Sequence, residues 1–199
     1  RRMVRQAGMQ PTIYSYRSVF EHLDSNADKL YRAVQRDGAD AAQVHFVGHS
    51  MGGLVIMHML RRHGHKIHNL GRVVLVASPI QGSYCADQST QWPVLGKVLG
   101  NSILEWTGID RSEYPAGLEI GTLVGSREFG LGRLVRGLPQ PSDGTVSVSE
   151  TELEGATDRL ILHVNHTQML ISPVAAEQIM HYLHHGQFSR SESTHQVSA

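Results

Sequence analysis

Residues 47–55 read "VGHSMGGLV", a serine held between glycines at the spacing G-x-S-x-G. The five residues before it, "QVHFV" (43–47), are apolar and β-branched enough for a strand. Those after it, "GGLVIMHMLRRH" (52–63), carry the wide apolar face of a buried helix. A serine on a very tight turn between a strand and a helix projects its hydroxyl from the sheet edge. Glycines on either side remove side chains that would strike the neighbouring strand and helix. The helix also aims its first amides at any oxyanion formed beside the serine. The plain alternative is a small residue in a glycine-rich turn. At ordinary glycine and serine usage, three such fixed positions match by chance about 0.06 times in a chain this long. The flanking strand and helix lower that further, and Ser50 is read as a nucleophile.

Strand and helix patterns alternate on both sides of this turn. "PTIYSY" (11–16) reads as a strand. Leu30, Ala33 and Val34 recur at helical spacing between 25 and 36, with Asp24 or Ser25 as N-cap. "RVVLVAS" (72–78) is almost continuously apolar, as a strand buried on both faces must be. "LEIGTLVG" (118–125), "TVSVS" (145–149) and "RLILHV" (159–164) are further strands, and a helix follows over 173–184. The expected fold class is α/β: a mostly parallel sheet with helices on both faces. One domain covers 1–188. Residues 82–117 show no clean strand, contain Trp92, Pro93, Trp106 and Pro115, and suggest a helix over 93–105. A small cap or lid is expected within 83–117, and 189–199 reads as a disordered tail.

The 199 residues carry 18 basic and 18 acidic side chains, so no net charge invites nucleic acid or an anionic membrane. No apolar run approaches the roughly 20 residues of a membrane-spanning helix. Cys85 is the single cysteine, so no internal disulfide can form. "RRMVRQAGMQ" (1–10) has a basic start with no apolar stretch behind it, and reads as a helix ending at Gly8 rather than a secretory signal. These features lean toward the cytoplasm. The chain has no initiator methionine and reads as starting inside an element, as a fragment would. Thirteen histidines raise the question of metal. His63, His65 and His68, and His181, His184 and His185, lack a completing cysteine or carboxylate, and a histidine at a helix C-terminus is favoured by the dipole alone. Neither a metal nor another cofactor is expected.

The stretch "GHSMGG" with its flanking elements resembles the α/β-hydrolase family, particularly the lipase and carboxylesterase branch, over about residues 11–188. The resemblance implies a nucleophile, an acid and a histidine in that chain order. In "HVNHTQML" (163–170), His163 lies in the strand pattern, whereas His166 falls in the loop after the last strand, where the family's histidine sits. "PSDGTVSVSE" (141–150) places Asp143 in a loop 23 residues before His166. Taken locally, Asp-Gly is an ordinary turn, and the family order is what favours Asp143 as the acid. Asp158 precedes the last strand, at the wrong end, and Asp110 lies in the expected cap. The resemblance implies that the Met51 backbone N–H is one oxyanion donor. A second would come from an early loop marked by a His-Gly pair, and none precedes the first helix here. Removing one donor typically costs about 100- to 1,000-fold in rate.

"SPIQGS" (78–83) resembles a pocket-shaping loop of such enzymes, with Pro79 and Gly82 as wall residues; nothing places a base beside Ser83 or Cys85. The expected activity is hydrolysis of a small-molecule carboxylic ester or lipid through an acyl-enzyme. The alternatives are a catalytically silent binding protein, or a thioesterase or acyltransferase using the same three residues.

Overall fold

The computed structural model describes residues 2–15, 22–87, 105–106, 110–129 and 137–190. Four strands form one sheet in the order of the chain: β1 (Val44–His49), β2 (Leu70–Val76), β3 (Ile120–Gly125) and β4 (Asp158–Leu162). All three pairings are parallel. Such a sheet must be covered on both faces, and β2 records this residue by residue. Val73 and Leu75 point into one apolar cluster, and Val74 and Val76 into the other.

The second cluster gathers partly buried side chains of α1 (Arg2–Gln6) and the turn after it. The first is closed by α2 (Leu23–Asp37) and α3 (Met51–His63), which contribute Leu23, Ala27 and Leu30, and Leu54 through Leu60 apart from His58. Nine of the thirteen α3 residues are buried, so this helix is held by tertiary packing more than by propensity. A single turn, α4 (Tyr84–Asp87), follows the loop after β2. The last helix, α5 (Pro173–His185), closes the second cluster with Ala175, Met180, Tyr182 and Leu183. Its ends are chemically specified. Ser172 accepts the Ala175 amide, Pro173 occupies the first turn, and Gly186 closes the helix at φ 73°.

Several sequence expectations are corrected. Residues 11–15 have no regular structure, and Ile13 is exposed. β-branched composition supplies preference, but a strand needs a neighbouring strand for its amides and carbonyls; among the described residues no strand lies in the sheet beside this stretch. The N-cap of α2 is neither Asp24 nor Ser25. The helix begins after His22, and its Leu23 amide is taken by Glu105 Oε2 at 2.7 Å. Asp24 is drawn instead to His58 Nε2 on α3, at 2.5 Å.

The segment 145–149 is not a strand either, as the amides of Thr145, Val146 and Ser147 are captured by side chains described below. At the C-terminus, 189 and 190 are held rather than frayed. Ser189 exchanges hydrogen bonds with Gln178, and Arg190 pairs with Asp158. Most of the expected cap lies outside the described residues, including Trp92, Pro93 and all but the last residue of the expected helix over 93–105, as does 191–199. Trp106 is buried and donates its indole N–H to the Ile80 carbonyl at 2.7 Å. Among the described residues, no helix is long and apolar enough to cross a membrane.

Candidate active site

Ser50 is the single residue between β1 and α3, and its backbone sits at φ 54°, ψ −126°. For a residue with a Cβ this conformation costs on the order of 1–3 kcal/mol and persists only where neighbours enforce it. The enforcement is visible. The Ser50 amide continues the β1–β2 ladder by donating to the Val76 carbonyl at 2.8 Å, while its own carbonyl accepts from Gly53. A Cβ on Gly48 would lie 2.6 Å from the Gly53 nitrogen, and one on Gly53 would lie 2.1 Å from Ser78 Oγ. The glycines therefore let helix, strand and the β2 end converge around the serine. Met51 is the first residue of α3, where main-chain amides have no partner within the helix.

Asp143 is 1% exposed and sits in a loop whose geometry its own side chain dictates. Oδ1 accepts the amides of Thr145 (2.9 Å) and Val146 (2.8 Å), which removes both donors from any strand pairing. Glu150, also buried, takes the Ser147 amide in the same way and the Tyr84 amide across the loop, each at 2.5 Å. Only the isolated bridge Ser142–Ser147 remains of the expected strand, followed by a 3₁₀ turn over Ser149–Thr151.

The second oxygen, Oδ2, lies 2.6 Å from His166 Nδ1. A carboxylate can only accept there, so Nδ1 carries the proton and Nε2 keeps a lone pair. The His166 amide donates to the Asp143 carbonyl at 3.0 Å, which makes the contact two-stranded. The loop bearing His166 is fixed by a reciprocal pair: Asn165 Oδ1 accepts the Gln168 amide, and Gln168 Oε1 accepts the Asn165 amide.

The other acids and bases are elsewhere. His163 lies beyond the end of β4, outside the strand in which its pattern placed it, and is exposed. Asp158 is paired with Gly121 at the start of β4, at the edge opposite the serine turn, where it binds Arg190 and the Phe188 amide. Asp110 is exposed and closes its own turn with Ser112. Cys85 is buried and donates to the Thr145 carbonyl. Burial, with Glu150 and Asp143 nearby, pushes its thiol up to about 11. That is the opposite of what a thiol nucleophile needs.

The structure joins Asp143 to His166 directly and brings both toward Ser50 through an unforeseen residue. His49, the last residue of β1, donates its Nε2–H to the His166 carbonyl at 3.0 Å, and the two rings lie 4.6 Å apart. Burial, then the neighbouring His166, pushes the His49 imidazole down to about 4, so it is neutral in ordinary buffers. Among the described residues, Ser50 and His166 are not themselves hydrogen-bonded; such bonds often tighten only around substrate.

Gly125 was also missed. A Cβ there would lie 2.7 Å from Asp143 Cβ and 2.7 Å from the Val164 carbonyl, so the glycine ending β3 makes room for the acid. Its signal was a glycine closing the apolar run "TLVG". Gly125→Ala is expected to cost about 1–3 kcal/mol through overpacking and to displace Asp143, so that turnover falls along with the melting temperature. Wild-type values of both would mean that the loop has slack.

A sheet covered on both faces, with a strained serine turn and a carboxylate-bound histidine after the C-terminal ends of its parallel strands, defines the hydrolase class of α/β proteins. The model described as "Alpha/beta hydrolase family" matches residues 8–186, and the chain belongs to that family. Among solved structures it is similar to a lipase of Bacillus licheniformis in its propeptide form (20% identity, TM-score 0.64, covering 90% of this chain and 43% of that one). The mature form of that lipase matches at 21% identity and TM-score 0.57, covering 73% of this chain and 68% of that one. Phospholipase PlaB of Legionella pneumophila matches at 17% identity and TM-score 0.57, covering 76% and 40%. This chain thus spans less than half the length of the propeptide form and of the phospholipase. No curated protein matches it.

Proposed function

We propose that this chain is a serine hydrolase that cleaves carboxylic esters through an acyl-enzyme. The observation that carries the reading is the buried carboxylate of Asp143 held 2.6 Å from His166 Nδ1, on a loop tied by a hydrogen bond to the residue before Ser50. With Nδ1 protonated, Nε2 of His166 is the base that takes the Ser50 proton as Oγ attacks the acyl carbonyl. Asp143 fixes the tautomer and stabilises the imidazolium that forms. The proton then passes to the departing alcohol. Water, activated by the same Nε2, attacks the acyl-serine and releases the acid. The amide of Met51 is one donor to the oxyanion.

Lipase and phospholipase fold neighbours make carboxylic esters of small alcohols and lipids the first substrates to try. Ser50 should be labelled once by an organophosphonate, read as the intact-mass increase of the native chain beside Ser50→Ala. Equal labelling of both would remove Ser50 from the chemistry. A native chain that neither labels nor turns over esters or thioesters would favour a silent binding protein built on the same fold.

A further inference from the structure

His49 is the residue at the candidate site whose chemistry the proposed mechanism leaves unused. Its position is unusual in three respects. It ends β1 and immediately precedes the strained Ser50, so its backbone is continuous with the turn that aims the serine. Its ring packs against the His166 ring, with centroids 4.6 Å apart and planes inclined by 50°. Its Nε2 is 3.0 Å from the His166 carbonyl oxygen. A carbonyl accepts only, so His49 must be the Nε2–H tautomer and the donor.

Consider what this does to His166. The imidazole is set by Asp143 Oδ2, and the amide by the Asp143 carbonyl. Both attachments fix His166 relative to the acid loop, and neither fixes it relative to the serine. The carbonyl of His166 is the remaining main-chain group, and it is bound by the residue next to Ser50. We propose that His49 is a positioning residue: its Nε2–H donation to the His166 carbonyl sets the separation between the base loop and the serine turn. This rests on the hydrolase reading above, and it assigns His49 no contact with substrate.

Two alternatives are set aside by the same geometry. His49 is no second base, because its donor is committed to a carbonyl and burial keeps its proton affinity low. Nor is it a bare spacer, since a spacer has no need of a donor aimed at a main-chain oxygen of the base loop. Its neutrality also suits the site. When His166 takes up a proton during turnover, the adjoining ring adds no second positive charge.

Two variants separate the donor from the ring. His49→Phe keeps a ring of similar size and removes the N–H; His49→Gln keeps an N–H near the same place and removes the ring. Misplacement by about 1 Å can cost on the order of 100-fold in rate. His49→Phe is therefore expected to lower kcat by roughly that factor, with KM and melting temperature near wild type, and His49→Gln to recover most of the loss. Amide hydrogen exchange over residues 165–170 should speed up in the Phe variant and stay near wild type in the Gln variant. A Phe variant with wild-type kcat would overturn the proposal, as would equal losses in both variants or unchanged exchange over 165–170. Failure of the hydrolase reading looks different: the wild-type chain itself would neither take up the phosphonate nor turn over ester.

Discussion

His166→Ala should abolish ester hydrolysis, with turnover falling by up to about a millionfold, the loss seen when the base of such a triad is deleted. His163→Ala should leave turnover within severalfold of wild type. The contrast is sharp because the two histidines are three residues apart and share almost the same sequence context. Their surroundings differ completely. His166 has its Nδ1 on a buried carboxylate and both main-chain groups engaged, by Asp143 and His49. His163 is exposed beyond the end of β4. The measurement is p-nitrophenyl ester hydrolysis by the two purified variants, each checked for a cooperative melt near that of wild type. A dead His163→Ala beside an active His166→Ala would invert the assignment and mean that the base approaches Ser50 from the strand end.

What made the fold legible was chemistry confined to a few neighbouring residues. The serine turn could be read because strain, close approach and helix start are all encoded between Gly48 and Gly53. β2 could be read because burial on both faces leaves no polar position in its second half. The readings that failed turned on which side chain takes a backbone or side-chain donor, sometimes a neighbour and sometimes a partner far along the chain. "TVSVS" has the composition of a strand, yet the carboxylates of Asp143 and Glu150 take its amides first. The cap of α2 comes from Glu105, 82 residues away, while the nearer Asp24 is drawn to a histidine on another helix. Side-chain competition for backbone donors is invisible to periodicity. For the same reason His49 passed unnoticed, since its acceptor is a main-chain oxygen 117 residues on. The Asp143–His166 spacing carried meaning only through the resemblance, and local sequence left Asp143 an ordinary turn residue.

Asp143→Asn is expected to cost about 10,000-fold in turnover at neutral pH while changing stability little. The structure explains why these two effects should separate. Asparagine retains an oxygen that can accept the Thr145 and Val146 amides now held by Oδ1, so the loop keeps the contacts that shape it. The atom replaced is Oδ2, which faces His166 Nδ1. An amide NH₂ there donates instead of accepting, so the imidazole must turn its lone pair toward the new side chain and move its proton to Nε2. A histidine protonated on Nε2 cannot take the proton of Ser50, and the reaction stops at its first step. Asp143→Ala is the informative companion. It strips the loop of both Oδ1 contacts and leaves the part-buried Thr145 amide and the buried Val146 amide unsatisfied, the buried one at about 1–3 kcal/mol. It should therefore lose activity and stability together, whereas the asparagine variant loses activity alone. The check is a denaturant titration and an ester assay on both variants. An Asp143→Asn protein that turns over ester at the wild-type rate would show that the acid is elsewhere. Asp158→Asn supplies the control: at the opposite sheet edge it should loosen the contact with Arg190 and leave kcat unchanged.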